Sequence, residues 1–213
     1  MAQMGRPRTF DRDRAITEAM HLFWEHGYDA TSLAQLKQGL GGGISAPSFY
    51  SAFGSKEALF QECVTRYLST HGRVTAPLQD ASLTPRVAIE TALRQSVAMQ
   101  CEPGHPRGCM VALGVMSAPS VASADVARAL DASRARTRAG FVECVQRGIA
   151  SGELRPDTSA LALAAVFDSF LSGVSISARD GVDAAVLDAA IDQVMRLGAD
   201  ALPGGAEAVG HCA

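Results

Sequence analysis

Residues 10–36, FDRDRAITEAMHLFWEHGYDATSLAQL, and residues 43–68, GISAPSFYSAFGSKEALFQECVTRYL, decide how this chain folds. Ile16, Ala19, Met20 and Phe23 recur at i, i+3, i+4 and i+7, one stripe of a helix over about residues 11–26 that Gly27 stops. Thr31 or Ser32 caps a short second helix carrying Leu33, Leu36 and Leu40, with Ser32 and Gln35 at capping-box spacing. Gly41, Gly42 and Gly43 break it. Ser45 caps a third helix to about Phe53, where Pro47 is tolerated because first-turn amides have no intrahelical partner. Gly54 ends that helix and Ser55 caps a fourth, residues 56–69, whose stripe of Leu59, Phe60, Cys63, Val64, Tyr67 and Leu68 packs on the first three and runs on as a connector.

Outward from this block, helical spacing continues and strict alternation is hard to find, so the chain reads as all-α with about nine helices. Thr84 and Pro85 open a fifth helix to about Cys101, which EPGHPRG interrupts. A short apolar helix at 109–116, a long one at 123–150, the loop SGELRPD, and helices at 158–177 and 182–197 complete the pattern. The expected organisation is a helix-turn-helix unit at 1–55, a connector at 56–70, a helical domain at 71–202, and a frayed Gly/Ala-rich tail at 203–213.

With 213 residues, 47% of them hydrophobic, the chain can bury a sizeable core. Its formal charge is −3, yet residues 1–71 hold seven Lys/Arg and seven Asp/Glu and are neutral, so attraction to phosphates must come from where a few cations sit. No unbroken apolar run of about 18 residues is present, and MAQMGRPRTF lacks the apolar region of a signal peptide; a cytoplasmic protein with no membrane partner is expected. Five scattered cysteines without a CxxC pair fit reduced thiols that mostly fill the core.

Short helix, tight turn, short helix is the arrangement that lays a second helix in the major groove of DNA while the first braces it. The order of an aromatic helix ending in HGY, a TSL cap, a short turn, a helix ending in FY and then FGSKEALF resembles the TetR family over residues 6–70, and RGCMVALG resembles the C-terminal domain of one branch of it. The resemblance implies a homodimeric transcriptional regulator, a repressor by family habit, released from a palindromic double-stranded operator by a small, largely apolar effector. It also sets Ser45, Ala46, Pro47 and Ser48 at base edges and Tyr50 and Lys56 at phosphates. Both phosphate roles are physically sensible: Tyr50 offers a rigid hydroxyl, and Lys56 adds its charge to a positive helix end. The other reading of Tyr50 is a half-buried packing aromatic. Thr31 and Ser32, at another helix N-terminus, are further phosphate candidates, and Lys37, with Gln35 and Gln38, is an auxiliary contact. Arg6 and Arg8 flank Pro7 in an arm that either enters a minor groove or stays solvated.

Two features depart from the family pattern. Residues 45–48 contain no Arg, Lys, Asn or Gln, the residues whose bidentate base contacts discriminate by about 1–3 kcal/mol each. The turn GGGIS carries two extra glycines, Gly42 and Gly43, either a turn ordered by DNA or simple variation in length.

A dimer needs an interface, and the helix at 158–177 has more apolar surface than one bundle uses: Leu161, Val166, Phe167, Phe170, Leu171 and Val174, with Ala162, Ala165, Ser169, Ser172 and Gly173 small enough for close approach. Val186, Leu187, Ile191 and Val194 on the last helix would complete a four-helix interface; the alternative is that both helices are internal to a monomer. Val97, Met99, Met110, Leu113, Met116, Phe141 and Phe167 are either a methionine-rich effector pocket or core. Cys101, His105 and Cys109 match no recognised zinc spacing and lack a fourth ligand, so neither metal nor cofactor is expected; a redox-responsive regulator using Cys101 and Cys109 remains an alternative, as does a helical adaptor. Without GxSxG, HExxH, a Walker loop or repeated ExxH pairs, the chain does not read as an enzyme.

Overall fold

A computed structural model of the chain describes residues 10–114 and 124–199. Among them are nine α-helices and one 3₁₀ segment: α1 Arg12–His26, α2 Leu33–Gly39, α3 Ala46–Phe53, α4 Lys56–Ser69, the 3₁₀ segment His71–Gln79, α5 Pro85–Cys101, α6 Met110–Leu113, α7 Ala124–Ser151, α8 Ala160–Arg179 and α9 Ala184–Ala199. The first four helices begin where their caps predict: Asp11, Ser32, Ser45 and Ser55 each accept a hydrogen bond from the backbone amide three residues on. The Ser32/Gln35 capping box is complete in both directions.

Two expectations need correction. Residues 71–79, unassigned by periodicity, coil as a 3₁₀ helix against α5, and α7 reaches them closely because residue 140 is glycine. A Cβ there would stand 2.9 Å from that of Leu78 and 2.6 Å from Nε2 of Gln79. α6 is one turn rather than the whole of 109–116, and Met116 lies outside the described residues. α8 is by length and composition apolar enough to cross a membrane, which a search for an unbroken apolar run does not reveal because Asp168, Ser169, Ser172 and Gly173 interrupt it. Its apolarity has two causes: one stripe fills the core, and a second lies exposed on this single chain.

Two clusters form the interior. The first unites α1 to α4 around Phe23, Trp24, Phe49, Phe60 and Tyr67, but also takes in Met99, Met110, Val111, Val126 and Leu130 from downstream. The second joins α5, α7, α8 and α9 around Phe141 and Phe167, whose rings stack with centroids 6.0 Å apart. Trp24 is the hinge-pin between the helix-turn-helix and the downstream helices: 2% exposed, edge-on to Tyr67 at 4.9 Å, stacked on His105 at 4.4 Å, with Nε1 donating to the Gly108 carbonyl at 3.1 Å. Arg179, at the end of α8, donates to the Trp24 and Glu25 carbonyls at 2.7 and 3.1 Å, a cation on the carbonyl end of α1. Arg107 closes the triangle by donating to the Ala178 and Val182 carbonyls at 2.7 and 2.8 Å. The loop at 102–108 is thus bonded to both α1 and the α8–α9 corner.

Candidate nucleic-acid interface and internal cavity

α3 buries Phe49 and Phe53 and turns its other face outward, leaving Ser45, Pro47, Ser48 and Tyr50 exposed and Ala46 half-buried. Ser45 is less available than its position implied, because its hydroxyl caps α3 through the Ser48 amide at 3.2 Å and pairs with the Ser48 hydroxyl at 2.9 Å. Tyr50 is 51% exposed, its ring perpendicular to that of Phe49 with centroids 5.6 Å apart. Ser51 is exposed beside it, a neighbour that sequence reasoning missed.

Arg12 braces the base of α3: its Nε donates to the Ala52 carbonyl at 3.3 Å, its guanidinium pairs with Glu62 at 2.6 Å, and it lies over the Phe53 ring. Lys56 sits in the first turn of α4 as expected, its ammonium 4.2 Å from the centre of the Tyr28 ring. Burial there lowers its pKa from the ordinary lysine value, while Asp29 and Glu57 oppose the shift. Tyr28 donates to Glu57 at 2.7 Å, and that bond holds the Glu57 carboxyl below the usual carboxylate range. Lys37 is half-buried on α2 and Ser32 is exposed but occupied as a cap.

Thr31 is a correction. Expected at an exposed helix N-terminus, it is fully buried, its hydroxyl donating to the Gly27 carbonyl at 2.6 Å; the cap role falls to Ser32 and leaves Thr31 to fasten the end of α1. Arg6 and Arg8 lie outside the described residues.

The glycine turn is tied down. Gly41, Gly42 and Gly43 have φ of +60°, +80° and +106°, a left-handed path that side chains strain. The Gly41 amide donates to Glu18 at 2.7 Å, that of Gly43 to the Leu40 carbonyl at 2.9 Å, and that of Ile44 to the Lys37 carbonyl at 2.8 Å. Gly42→Ala is expected to cost about 1–2 kcal/mol from backbone strain alone, since open space surrounds the site; urea unfolding of the variant checks it.

A cavity of about 80 Å³ lies between the 3₁₀ segment, α5, α7 and α8. Of the expected pocket residues that the structure describes, only Met99 lines it. Met110 belongs to the first core cluster, Val97, Phe141 and Phe167 to the second, and Leu113 packs near Gly108. The walls are mixed rather than methionine-rich, including Tyr67, Val111, Leu171, Arg138, Asp168 and Gln100. Burial raises the Asp168 carboxyl above the usual carboxylate range against the pull of Arg138 and Arg134. Ser96 and Ser175 satisfy their hydroxyls on backbone carbonyls of their own helices. Gln100 is 2% exposed, and its Oε1 is the one buried side-chain oxygen without a partner among the described residues. Sequence could have flagged Gln100 as a polar residue beside Val97 and Met99 on α5, but not that it faces a cavity.

The residues expected at a dimer interface are also redistributed. Phe167, Val174, Leu187, Ile191 and Val194 are buried in this chain's own second cluster. Leu161 and Val186 are exposed, while Phe170 and Leu171 are half-buried. Val166 and the small residues Ala162, Ala165, Ser169, Ser172 and Gly173, joined by Ile176, form a continuous exposed stripe down α8. Cys101 and Cys109 pack against different clusters, and the Cys109 sulfur accepts from the Tyr67 hydroxyl at 3.2 Å.

Comparison with known proteins is consistent with this geometry. A family model described as bacterial regulatory proteins, tetR family, matches residues 15–63. The chain is 34% identical over 181 residues to the transcriptional repressor ComR of Escherichia coli, covering 83% of each. It is 37% identical over 116 residues to the repressor BdcR of the same organism, covering 53% of this chain and 56% of BdcR. A cysteine mutant of the TetR family transcriptional regulator CifR, solved with 26-base-pair operator DNA, is 39% identical with a TM-score of 0.79, covering 90% of this chain and 98% of that one.

Proposed function

We propose that this chain, which belongs to the TetR family of bacterial regulatory proteins, is a homodimeric transcriptional repressor that holds a two-fold operator through α3 and is released by a small effector. The observation that carries the reading is α3 itself: a helix anchored by two buried phenylalanines that keeps Pro47, Ser48, Tyr50 and Ser51 exposed on its outer face. The relatives named as repressors, and the operator-bound relative, support the direction of regulation. With no long cation or amide side chain at 45–48, base readout rests on serine hydroxyls and apolar contacts to thymine methyls, while Tyr50 and Lys56 hold phosphates.

One helix reads only a few base pairs, so the operator demands a second copy with half-sites about 34–36 Å apart. The α8 stripe supports that copy. A Cβ at Gly173 would point into open space, away from every other element of the chain, and mid-helix glycine costs about 1 kcal/mol relative to alanine; a partner helix in close approach gives it a purpose. The effector reading rests on the cavity, whose mixed walls and orphan Gln100 acceptor fit a small molecule with an N–H or O–H donor. At about 80 Å³ the space equals that of only about three waters, so a larger effector would have to part the helices around it. A helix-opening effector pushes on α8, and Arg179 carries the push to the end of α1.

Sequences bound from random DNA test the reading. A two-fold motif bound with salt-dependent affinity is expected, and Gly173→Leu should sediment as a folded monomer with at least ~100-fold weaker operator binding. A monomeric wild type, or the absence of any preferred palindrome as for a helical adaptor, overturns it.

A further inference from the structure

The structure assigns a divalent transition-metal site to His71, Glu102 and His105, three residues brought together from the 3₁₀ segment and the loop after α5. One ligand atom from each, two imidazole nitrogens and a carboxylate oxygen, lies within 4.8 Å of the others. Nε2 of His105 stands 3.1 Å from Oε1 of Glu102. Two ligands bound at about 2.1 Å to a tetrahedral ion are about 3.4 Å apart, so this pair already has the required spacing. The His71 and His105 rings meet edge to face at 4.6 Å, which lets a small inward turn of His71 complete the set.

The hydrogen bonding of His105 argues for a cation more strongly than the distances do. Nδ1 lies 2.8 Å from the Pro106 carbonyl oxygen, and Nε2 faces the Glu102 carboxylate, so both ring nitrogens confront acceptors. A ring with one proton satisfies the carbonyl and then points the Nε2 lone pair at a carboxylate oxygen. A cation held between the two would satisfy both. The Nδ1–H to carbonyl bond is the arrangement that orients a metal-binding histidine and leaves Nε2 to the ion. The His105 side chain is 4% exposed and stacked on Trp24, so the ligand is held rigidly. Access exists from one side: His71 and Glu102 line a solvent-open groove of about 680 Å³ with Thr70, Met99 and Gln95.

Two imidazoles and one carboxylate are a borderline-to-hard donor set that suits Zn²⁺ or a neighbouring first-row ion, with a water in the remaining position. Spacing in the sequence had grouped His105 with Cys101 and Cys109; the fold pairs it instead with a histidine 34 residues upstream. Resting on the function proposed above, an ion here would clamp the 102–108 loop to the segment following α4, beside the bonds that join α1 to α8.

Zinc binding to the metal-stripped full chain, measured by calorimetry without DNA, tests the site apart from any regulatory role. Wild type is expected to bind one Zn²⁺ per chain with a raised Tm. Glu102→Gln, on a half-exposed side chain, and His71→Gln should each bind at least ~10-fold more weakly while keeping the wild-type helical spectrum. Cobalt substituted for zinc should show d–d bands without thiolate-to-metal charge transfer. Absence of stoichiometric binding, binding indifferent to both substitutions, or a thiolate band would overturn the assignment. So would nitrogen NMR showing His105 still carrying protons on both ring nitrogens after zinc is added.

Discussion

Trp24→Ala lowers the stability of the folded protein by about 3–5 kcal/mol, the range for deleting a fully packed tryptophan. Five interactions go at once: the edge-on contacts with Tyr67, His71 and His21, the stack on His105 and the Nε1 bond to Gly108. The first cluster cannot collapse into the space easily, because Tyr67 is held by α4 and its hydroxyl is committed to Cys109. In a chain of this size each kcal/mol moves Tm by about 2–4 °C, so a fall of about 6–20 °C is expected in a thermal melt. Trp24→Phe keeps most of the ring packing and loses the bond to Gly108, and it should recover more than half of the loss. If Trp24→Ala melted within 2 °C of wild type, Trp24 would not be the joint between the helix-turn-helix and the remaining helices.

Gly108→Ala acts on the other side of the same joint, by insertion rather than deletion. Its φ of +84° is strained for any other residue, at about 1–3 kcal/mol. A Cβ at this position would also stand 2.6 Å from Cδ1 of Leu113 and 2.7 Å from the Ser175 carbonyl oxygen of α8. Leu113 can swing aside, but the Ser175 oxygen is helix backbone and cannot yield without moving α8; overpacking of this kind adds about 1–3 kcal/mol. The amide of Gly108 donates to the Gln100 carbonyl at 3.1 Å and its carbonyl accepts from Trp24, so displacement breaks bonds to α5 and α1 together. Urea unfolding should show a loss of about 3 kcal/mol or more, with the unfolding midpoint shifted and the slope unchanged. Gly104→Ala serves as the control in the same loop: it shares a positive φ but meets nothing within 4 Å, so it bears the backbone strain alone.

Much of the fold was legible because helices announce their own ends. Asp11, Ser32, Ser45 and Ser55 satisfy orphan amides of helices they begin, and that chemistry is local, needing no knowledge of the rest of the chain. The order of these caps, with HGY and FGSKEALF between them, was enough to identify the family and the exposed α3 face. Residues 71–79 were not legible, because a 3₁₀ run has no 3.6-residue stripe to detect.

What the tertiary structure alone decided is the direction in which each apolar or polar side chain faces. α8 carries two stripes of apolar and small residues, and periodicity cannot tell which one its own chain will bury; packing on Phe141 took Phe167 and Val174 inward and left Ala165, Gly173 and Ile176 outside. Thr31 and Ser32 offered the same hydroxyl chemistry to adjacent caps, and only the close of α1 assigned one to the interior and one to the surface. The cavity with its Gln100 acceptor and the meeting of His71 with Glu102 and His105 depend on segments far apart in the chain, so sequence by itself determined the capped helices and the exposed face of α3, while long-range packing determined which side chains converge.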